Sequence, residues 1–200
     1  TNEIISKLDE LNCDHVYMLK AGLRDDVWFE GKKNLVHAVF GCYDPHGTYA
    51  YVSEWLSKTV SNSTIPFVPH IVELPKEKTI NFRKTHNIPE EKIVIGRYGG
   101  YDQFDIPFVL QSISFIVNFD PNVIFVFINT RKFIDHPNVL FLDAIIEPQQ
   151  KTNFILACDA MIHARSDGES FGLSVCEFLF HNKPVLSYGC LLYTSDAADE

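Results

Sequence analysis

The sequence predicts an α/β protein built from parallel, doubly wound sheets. From residue 92 onward, short β-branched and aromatic runs alternate with segments whose apolar residues have helical spacing. Repeated strand and helix units of this kind form parallel sheets. With 200 residues, 46% of them hydrophobic, the chain can bury a real core but amounts to about one and a half domains. We therefore expect two Rossmann-like domains, both incomplete.

Residues 1–64 are predicted to be the C-terminal part of the first domain. Runs of strand type lie at His15 to Leu19, Leu35 to Phe40 and Ala50 to Val52. These runs are separated less regularly than those later in the chain, so the helices between them are not assigned.

Residues 65–91 are predicted to be a hinge or linker. Pro66 and Pro69 favour an extended crossing, because each proline fixes its own φ and restrains the residue before it. The polar stretch Pro75 to Asn87 follows and has little apolar content.

Residues 92–189 are predicted to be the second domain, in which strands and helices alternate regularly. The predicted strands are Ile93 to Ile95 followed by Gly96-Arg97, Asn122 to Ile128, Asn138 to Leu142, Asp159 to Ala164 and Pro184 to Ser187. The predicted helices are Phe108 to Phe119, Gln149 to Cys158 and Ser170 to Phe180. The tail, 190–200, breaks this pattern and is similar to a translated sequencing adaptor, so we suspect that it is not native. A genuine acidic, frayed terminus is the alternative.

Composition excludes several classes of protein. The net charge of -9 argues against a nucleic-acid partner, which would require clustered Lys and Arg. No apolar stretch approaches the roughly 20 residues that a membrane span needs, which leaves only peripheral membrane contact open. Five widely spaced cysteines without a Cys-x-x-Cys pair fit reduced thiols in a cytoplasmic protein. No metal site is expected.

The segment that carries the chemistry runs from Cys158 to Tyr188. A strand leads into a loop of small residues, and a helix begins directly after it. This geometry directs backbone N–H groups and the positive end of the helix dipole out of the sheet edge, which favours a phosphate. Gly168 and Gly172 allow close approach of a ligand to the backbone. The carboxylates of Glu169 and Glu177 can accept hydrogen bonds from hydroxyl groups.

At these residues the sequence resembles a known family. Glu169 and Glu177 are separated by seven residues, with Gly-Glu-Ser-Phe-Gly-Leu between strand and helix, Asn-Lys-Pro-Val afterwards and Gly-Arg at the end of an upstream strand. This pattern resembles the donor site of the family-four retaining glycosyltransferases, whose fold is GT-B. The resemblance covers residues 65–189 well and the first sixty residues more loosely.

The resemblance implies a glycosyltransferase that moves a sugar from a nucleotide-diphosphate sugar to an unknown acceptor with retention. Glu177 would bind the ribose, Glu169 would lie beside the donor sugar, and Arg97 would neutralise the leaving phosphates. The other implied donor-site residues are Gly96, Gly168, Ser170, Phe171, Gly172 and Leu173. No cofactor beyond the donor and no metal ion are implied.

The sequence departs from the family pattern in the loop 98–105. Family members carry a phosphate-binding lysine there, whereas this loop has no cation. Lys132, in the loop after the next strand, is a candidate substitute or an ordinary surface lysine. The resemblance also implies a histidine in the first domain, for which His37 is the best match and His46 the second; either can instead be structural.

Several alternatives stay open at this stage. His163 can orient the first glutamate or merely pack, and Arg165 and Asp167 are either site residues or surface charges. A non-catalytic sugar-nucleotide-binding module is the main alternative function, and a phosphorylase, an epimerase or an unrelated doubly wound domain are further ones. The sequence does not identify the donor base, the sugar or the acceptor.

Overall fold

The computed structural model describes residues 2–188. The chain divides between Ile71 and Val72 into two compact units, called unit 1 and unit 2 below. Each unit contains a parallel sheet with helices, which confirms the predicted α/β class. Of the helices within residues 2–188, none combines the length and the apolar character needed to cross a bilayer. The suspected non-native tail, 190–200, lies outside the described residues.

Unit 1 contains a three-stranded parallel sheet in the order β1-β2-β3. Its elements are α1 (Asn2–Glu10), β1 (His15–Lys20), β2 (Lys33–Ala38), β3 (Thr48–Tyr51) and α2 (Glu54–Ser61). The sequence predicts all three strands, but β2 begins and ends two residues before the predicted bounds. The predicted end of β2, Phe40, is 53% exposed and is not part of the buried strand. Helix α1 has no counterpart among the predicted elements.

The segment predicted as a linker, 65–91, is divided between the two units. Its first part packs beside β3, where Tyr51 N–H donates to Pro66 O (2.9 Å) and Val68 N–H donates to Tyr51 O (2.8 Å). Its second part belongs to unit 2 and contains a short helix, α3 (Phe82–Thr85). Arg83 of this helix is buried and donates to three backbone carbonyls and to Asp159. A hinge role for the segment stays a prediction.

Unit 2 contains a five-stranded parallel sheet in the order β6-β5-β4-β7-β8. Its strands are β4 (Ile93–Tyr98), β5 (Val123–Ile128), β6 (Val139–Leu142), β7 (Ala160–His163) and β8 (Val185–Ser187). Its other helices are α4 (Pro107–Phe119), α5 (Pro148–Ala157) and α6 (Leu173–Phe180). Each of these elements overlaps a predicted one. Helix α6 begins three residues after the predicted start, because Gly172 adopts a left-handed conformation (φ 77) just before it.

The core of unit 2 has one apolar layer on each face of the sheet. All six residues of β5 are buried, which is typical of a central strand in a parallel sheet. Alternate residues enter the two layers: Ile124, Val126 and Ile128 lie in one, and Phe125 and Phe127 lie in the other. The apolar run read from the sequence is therefore a strand with helices on both sides.

Gly96 lies in the middle of β4, where α5 approaches the sheet closely. A Cβ atom at this position would lie 2.8 Å from Phe154 Cζ and still nearer to Cys158 Sγ. Both contacts are far inside the van der Waals distance, and both neighbours are fully buried. The glycine that the sequence pattern assigns to the donor site is thus needed for helix-on-sheet packing.

Gly96→Ala is expected to destabilise the protein by about 1–3 kcal/mol, because the added methyl overpacks the core. Urea denaturation followed by circular dichroism measures this loss. Gly41→Ala is the matched control, since a Cβ there would lie 3.5 Å or more from its neighbours. Adding Cys158→Ala to Gly96→Ala should recover part of the loss. Unchanged stability of Gly96→Ala would contradict the close packing.

Candidate functional site

The candidate site lies at the carboxyl edge of the unit 2 sheet, around β4 and β7. These strands are neighbours, but the chain leaves β4 toward β5 on one side and leaves β7 toward β8 on the other. The loops that follow them therefore diverge, and a parallel sheet forms a ligand-binding crevice at such a switch point. The loop 99–106 follows β4, and the loop 164–172 follows β7.

The two loops are joined directly. Asp105 accepts hydrogen bonds from the backbone N–H (2.8 Å) and the hydroxyl of Ser166, and its own N–H donates to Ala164 O (3.3 Å). The carboxylate is held ionised: burial raises the pKa of Asp105, but the bonds from Ser166 and the charge of Arg165 outweigh burial and lower it. These contacts give the two walls of the crevice a defined separation.

Arg97, near the end of β4, places a guanidinium in the crevice. The side chain is only 4% exposed, and it donates to Gly100 O (2.9 Å), Asn129 O (3.3 Å) and the hydroxyl of Thr130. It also lies 5.6 Å from the centre of the Phe104 ring. Burial lowers the pKa of Arg97 to about 10, although the negative charge of Glu169 opposes this. Arg97 is therefore charged at neutral pH.

Glu169, in the loop after β7, is held by two cationic or proton-donating neighbours. Its Oε1 lies 3.0 Å from His163 Nε2, and its Oε2 lies 3.2 Å from Arg165 Nη1. Burial raises the pKa of this carboxyl, but the hydrogen bond from His163 and the charge of Arg165 outweigh it and keep the pKa below its usual range. Glu169 is thus an oriented carboxylate. His163, for which the sequence leaves two roles open, orients it.

Helix α6 begins directly after this loop. Gly168 and Gly172 both have positive φ (69 and 77), which shapes the turn into the helix. The N-cap residue, Gly172, has no side chain that could accept a hydrogen bond from the first turn of α6. Of the other predicted donor residues, Ser170 and Phe171 are half-buried, and Leu173 is exposed. The geometry suits an anion bound at the helix N-terminus.

Glu177 lies further along α6 and is only 5% exposed. Lys151 of α5 pairs with it, at 3.0 Å from Oε1 and 3.4 Å from Oε2. The same ammonium lies 5.4 Å from the centre of the Tyr98 ring. Burial raises the pKa of Glu177 to about 7 and lowers the pKa of Lys151, while the ion pair between them opposes both shifts.

Three other residues that the sequence predicts for the site make contacts with neighbours other than Arg97, Glu169 and Glu177. Lys132 is exposed and pairs with Asp135 (2.8 Å), and Gly96 lies in the core. His37 lies in unit 1, is 4% exposed, and uses both ring nitrogens: Nε2 bonds to Val68 O (2.7 Å) and Nδ1 bonds to the Tyr17 hydroxyl. These contacts are those of a structural histidine, so the catalytic role of His37 stays an untested prediction.

The sequence does not assign a role to two residues of the cluster. It predicts that α5 is a helix but not which of its faces meets α6, so it does not identify Lys151. The loop position of Arg165 does not reveal that its side chain turns inward, so the sequence does not decide whether Arg165 is a site residue. The side-chain atom Arg165 Nε is buried without a hydrogen-bond partner.

Among residues 2–188, no group of three or more His, Cys, Asp or Glu side chains is placed to hold a metal ion.

Comparisons with known proteins agree with this architecture. No family model matches the chain, and no curated protein matches its sequence. Solved structures do match: WaaG, described as a glycosyltransferase involved in lipopolysaccharide biosynthesis, has a TM-score of 0.65 at 14% identity over 98% of this chain. A glycosyltransferase from Rickettsia africae ESF-5 has a TM-score of 0.64 at 14% identity over 93% of this chain.

A TarM variant from S. aureus, in complex with fondaparinux, alpha-GlcNAc-glycerol and UDP, has a TM-score of 0.66 at 14% identity over 96% of this chain. The chain spans 65% of the WaaG chain, 60% of the Rickettsia chain and 45% of the TarM chain. At these identities the likeness shows the fold, which is the predicted GT-B type.

The raised pKa of Glu177 predicts the direction in which the stability of the protein changes with pH. The folded protein binds the proton more tightly than the unfolded chain, so the stability from this group is present below pH about 4.3 and is lost as the pH rises through about 7. Glu177→Gln removes this loss. The unfolding free energy of the variant, relative to the unmodified chain, should therefore rise between pH 5 and pH 7.5.

Urea denaturation at several pH values measures this difference. Glu54→Gln, which changes an exposed carboxylate on α2, is the control and should show little pH dependence in the same window. A flat difference for Glu177→Gln would mean that the carboxyl titrates normally.

Proposed function

We propose that unit 2 binds a nucleoside-diphosphate sugar at the carboxyl edge of its sheet, and that the protein transfers this sugar to an acceptor with retention of configuration. One observation carries the proposal. An oriented carboxylate, Glu169, precedes α6, a second one, Glu177, is buried on α6, and the guanidinium of Arg97 lies at the end of the strand beside them. The fold neighbours, which are described as glycosyltransferases, support the same reading.

The nucleoside would be held by Glu177. A ribose presents two adjacent hydroxyl donors, and a carboxylate can accept both. The ion pair with Lys151 favours the ionised carboxylate that this contact requires. The diphosphate would extend toward the N-terminus of α6, where the N–H groups of the first turn and the helix dipole favour negative charge. UDP in the TarM complex supports a nucleoside diphosphate as the ligand class.

The chemistry would be mainly electrostatic. The bond between the anomeric carbon and the phosphate oxygen breaks, and Arg97 stabilises the charge on the departing diphosphate. Glu169, ionised beside the sugar, stabilises the positive charge that develops at the anomeric carbon. The acceptor oxygen bonds to that carbon from the same face, and its proton passes to the departing phosphate oxygen. No protein nucleophile is required, and we propose action without a metal ion.

A non-catalytic sugar-nucleotide-binding module is a second candidate. The loop 98–105 contains no Lys or Arg, and the exposed Lys132 is paired with Asp135. Both observations favour weaker binding of the leaving phosphates than a transferase requires.

Calorimetric titration in the presence of EDTA tests binding directly. One of UDP, GDP and ADP should bind this chain, and Glu177→Ala should weaken that binding about 10- to 100-fold, because hydrogen bonds to a charged group are lost. Glu91→Ala, which removes an exposed carboxylate at the opposite edge of the sheet, should bind normally. Equal affinities for all three proteins would refute the assignment of Glu177.

Slow hydrolysis of the donor separates the two candidates. A transferase should release sugar from the nucleotide sugar whose base binds, and Glu169→Gln should reduce that rate about 100-fold or more while nucleotide affinity changes little. Glu91→Gln serves as the matched control. Tight binding without any release would favour the binding module.

A further inference from the structure

Two guanidinium groups, those of Arg97 and Arg165, lie near enough to Glu169 to interact with its charge in unit 2. Among residues 2–188, Glu169 is the one acid that forms an ion pair with Arg165, and no acid forms one with Arg97. The two arginines are close enough that the charge of Arg165 adds to the effect of burial in lowering the pKa of Arg97. The side chain of Arg165 is only 17% exposed. Asp105 is also close enough to Arg165 that the charge of the arginine contributes to lowering the pKa of that carboxyl. The guanidinium of Arg165 thus lies in a charged cluster that is largely withdrawn from bulk water.

The hydrogen bonds of Arg165 are also incomplete. Its Nη1 donates to Glu169 (3.2 Å), but its Nε–H is buried and has no acceptor. A buried donor without a partner costs free energy, so an acceptor is expected to reach it in some state of the protein. An unfilled donor on a cationic side chain favours an anionic acceptor.

We propose that Arg165 is the second phosphate-binding cation of this site, a role for which the sequence offers only Lys132. The inference rests on the proposed function and adds the residue that completes the diphosphate site. One edge of the planar guanidinium holds Glu169, and its Nε–H donates to a phosphate oxygen. The same side chain therefore links the carboxylate beside the sugar to the leaving group. Lys132, by contrast, has an exposed ammonium that pairs with Asp135.

Inorganic pyrophosphate is the probe, because it isolates the phosphate contacts from those of base and ribose. Calorimetry should show that Arg165→Gln weakens pyrophosphate binding about 10- to 100-fold, as expected for the loss of a charge-assisted hydrogen bond. Arg165→Lys should restore part of the affinity, since the charge remains but the planar geometry is lost. Lys132→Gln is the matched control and should change the affinity less than twofold.

The outcomes separate this inference from the proposed function. If the unmodified chain binds neither pyrophosphate nor any of the three nucleoside diphosphates, the proposed function fails. If it binds them and Arg165→Gln binds pyrophosphate equally well, only the role of Arg165 is overturned.

A second measurement avoids the variant that removes the ion pair with Glu169. The Nε–H resonance of Arg165 in the unmodified chain, assigned by its disappearance in Arg165→Lys, should shift when pyrophosphate is added. A resonance that stays in place while pyrophosphate binds would overturn the proposal.

Discussion

The adjacency of β4 and β7 is the constraint on which the rest of unit 2 depends. Since the five strands found among residues 2–188 of this unit are parallel, their following loops leave the same edge, and within this described part the loops diverge between β4 and β7. Arg97 is carried there by one strand, and Glu169 is carried there by the other. The two loops are then joined by the hydrogen bonds of Asp105 with Ser166, and the charge of Glu169 acts on Arg97. The close approach of α5 at Gly96 serves the same end, because it seats the helix that brings Lys151 to Glu177.

Burial sets the electrostatics of the site in two different ways. Glu169 is partly desolvated, yet its two donors keep it ionised, as the chemistry at an anomeric carbon would require. The neutral and ionised forms of Glu177 are more nearly balanced, because desolvation favours the neutral form while the ion pair with Lys151 favours the ionised form. The two carboxylates of the same motif therefore have different surroundings, which is consistent with the different roles that we propose for them.

Much of the fold follows from local pattern. The apolar run of β5 and the glycines around α6 predict a buried strand and a tight strand-to-helix turn, and the structure contains both. Glu169 and Glu177 can be identified from the sequence for the same reason, since their spacing depends on one loop and one helix. The sequence does not determine how each helix is rotated about its axis or how closely the helices, strands and loops approach one another. The pairing of Lys151 with Glu177, the inward turn of Arg165 and the packing role of Gly96 all depend on how α5, β4 and the loop after β7 meet in space. The role of Lys132 stays a prediction for the same reason: sequence position places it in a neighbouring loop, and its exposed side chain pairs with Asp135.

In the proposed site, the carboxyl edge of the unit 2 sheet holds a nucleoside diphosphate between Arg97, near the end of β4, and helix α6. A crystal structure of the chain with the nucleoside diphosphate that it binds tests this proposal most directly. We expect ribose hydroxyls within hydrogen-bond distance of Glu177, and phosphate oxygens at the N-terminus of α6 and at Arg97. A nucleotide bound elsewhere, or bound at this edge with Glu177 still paired only to Lys151, would contradict it.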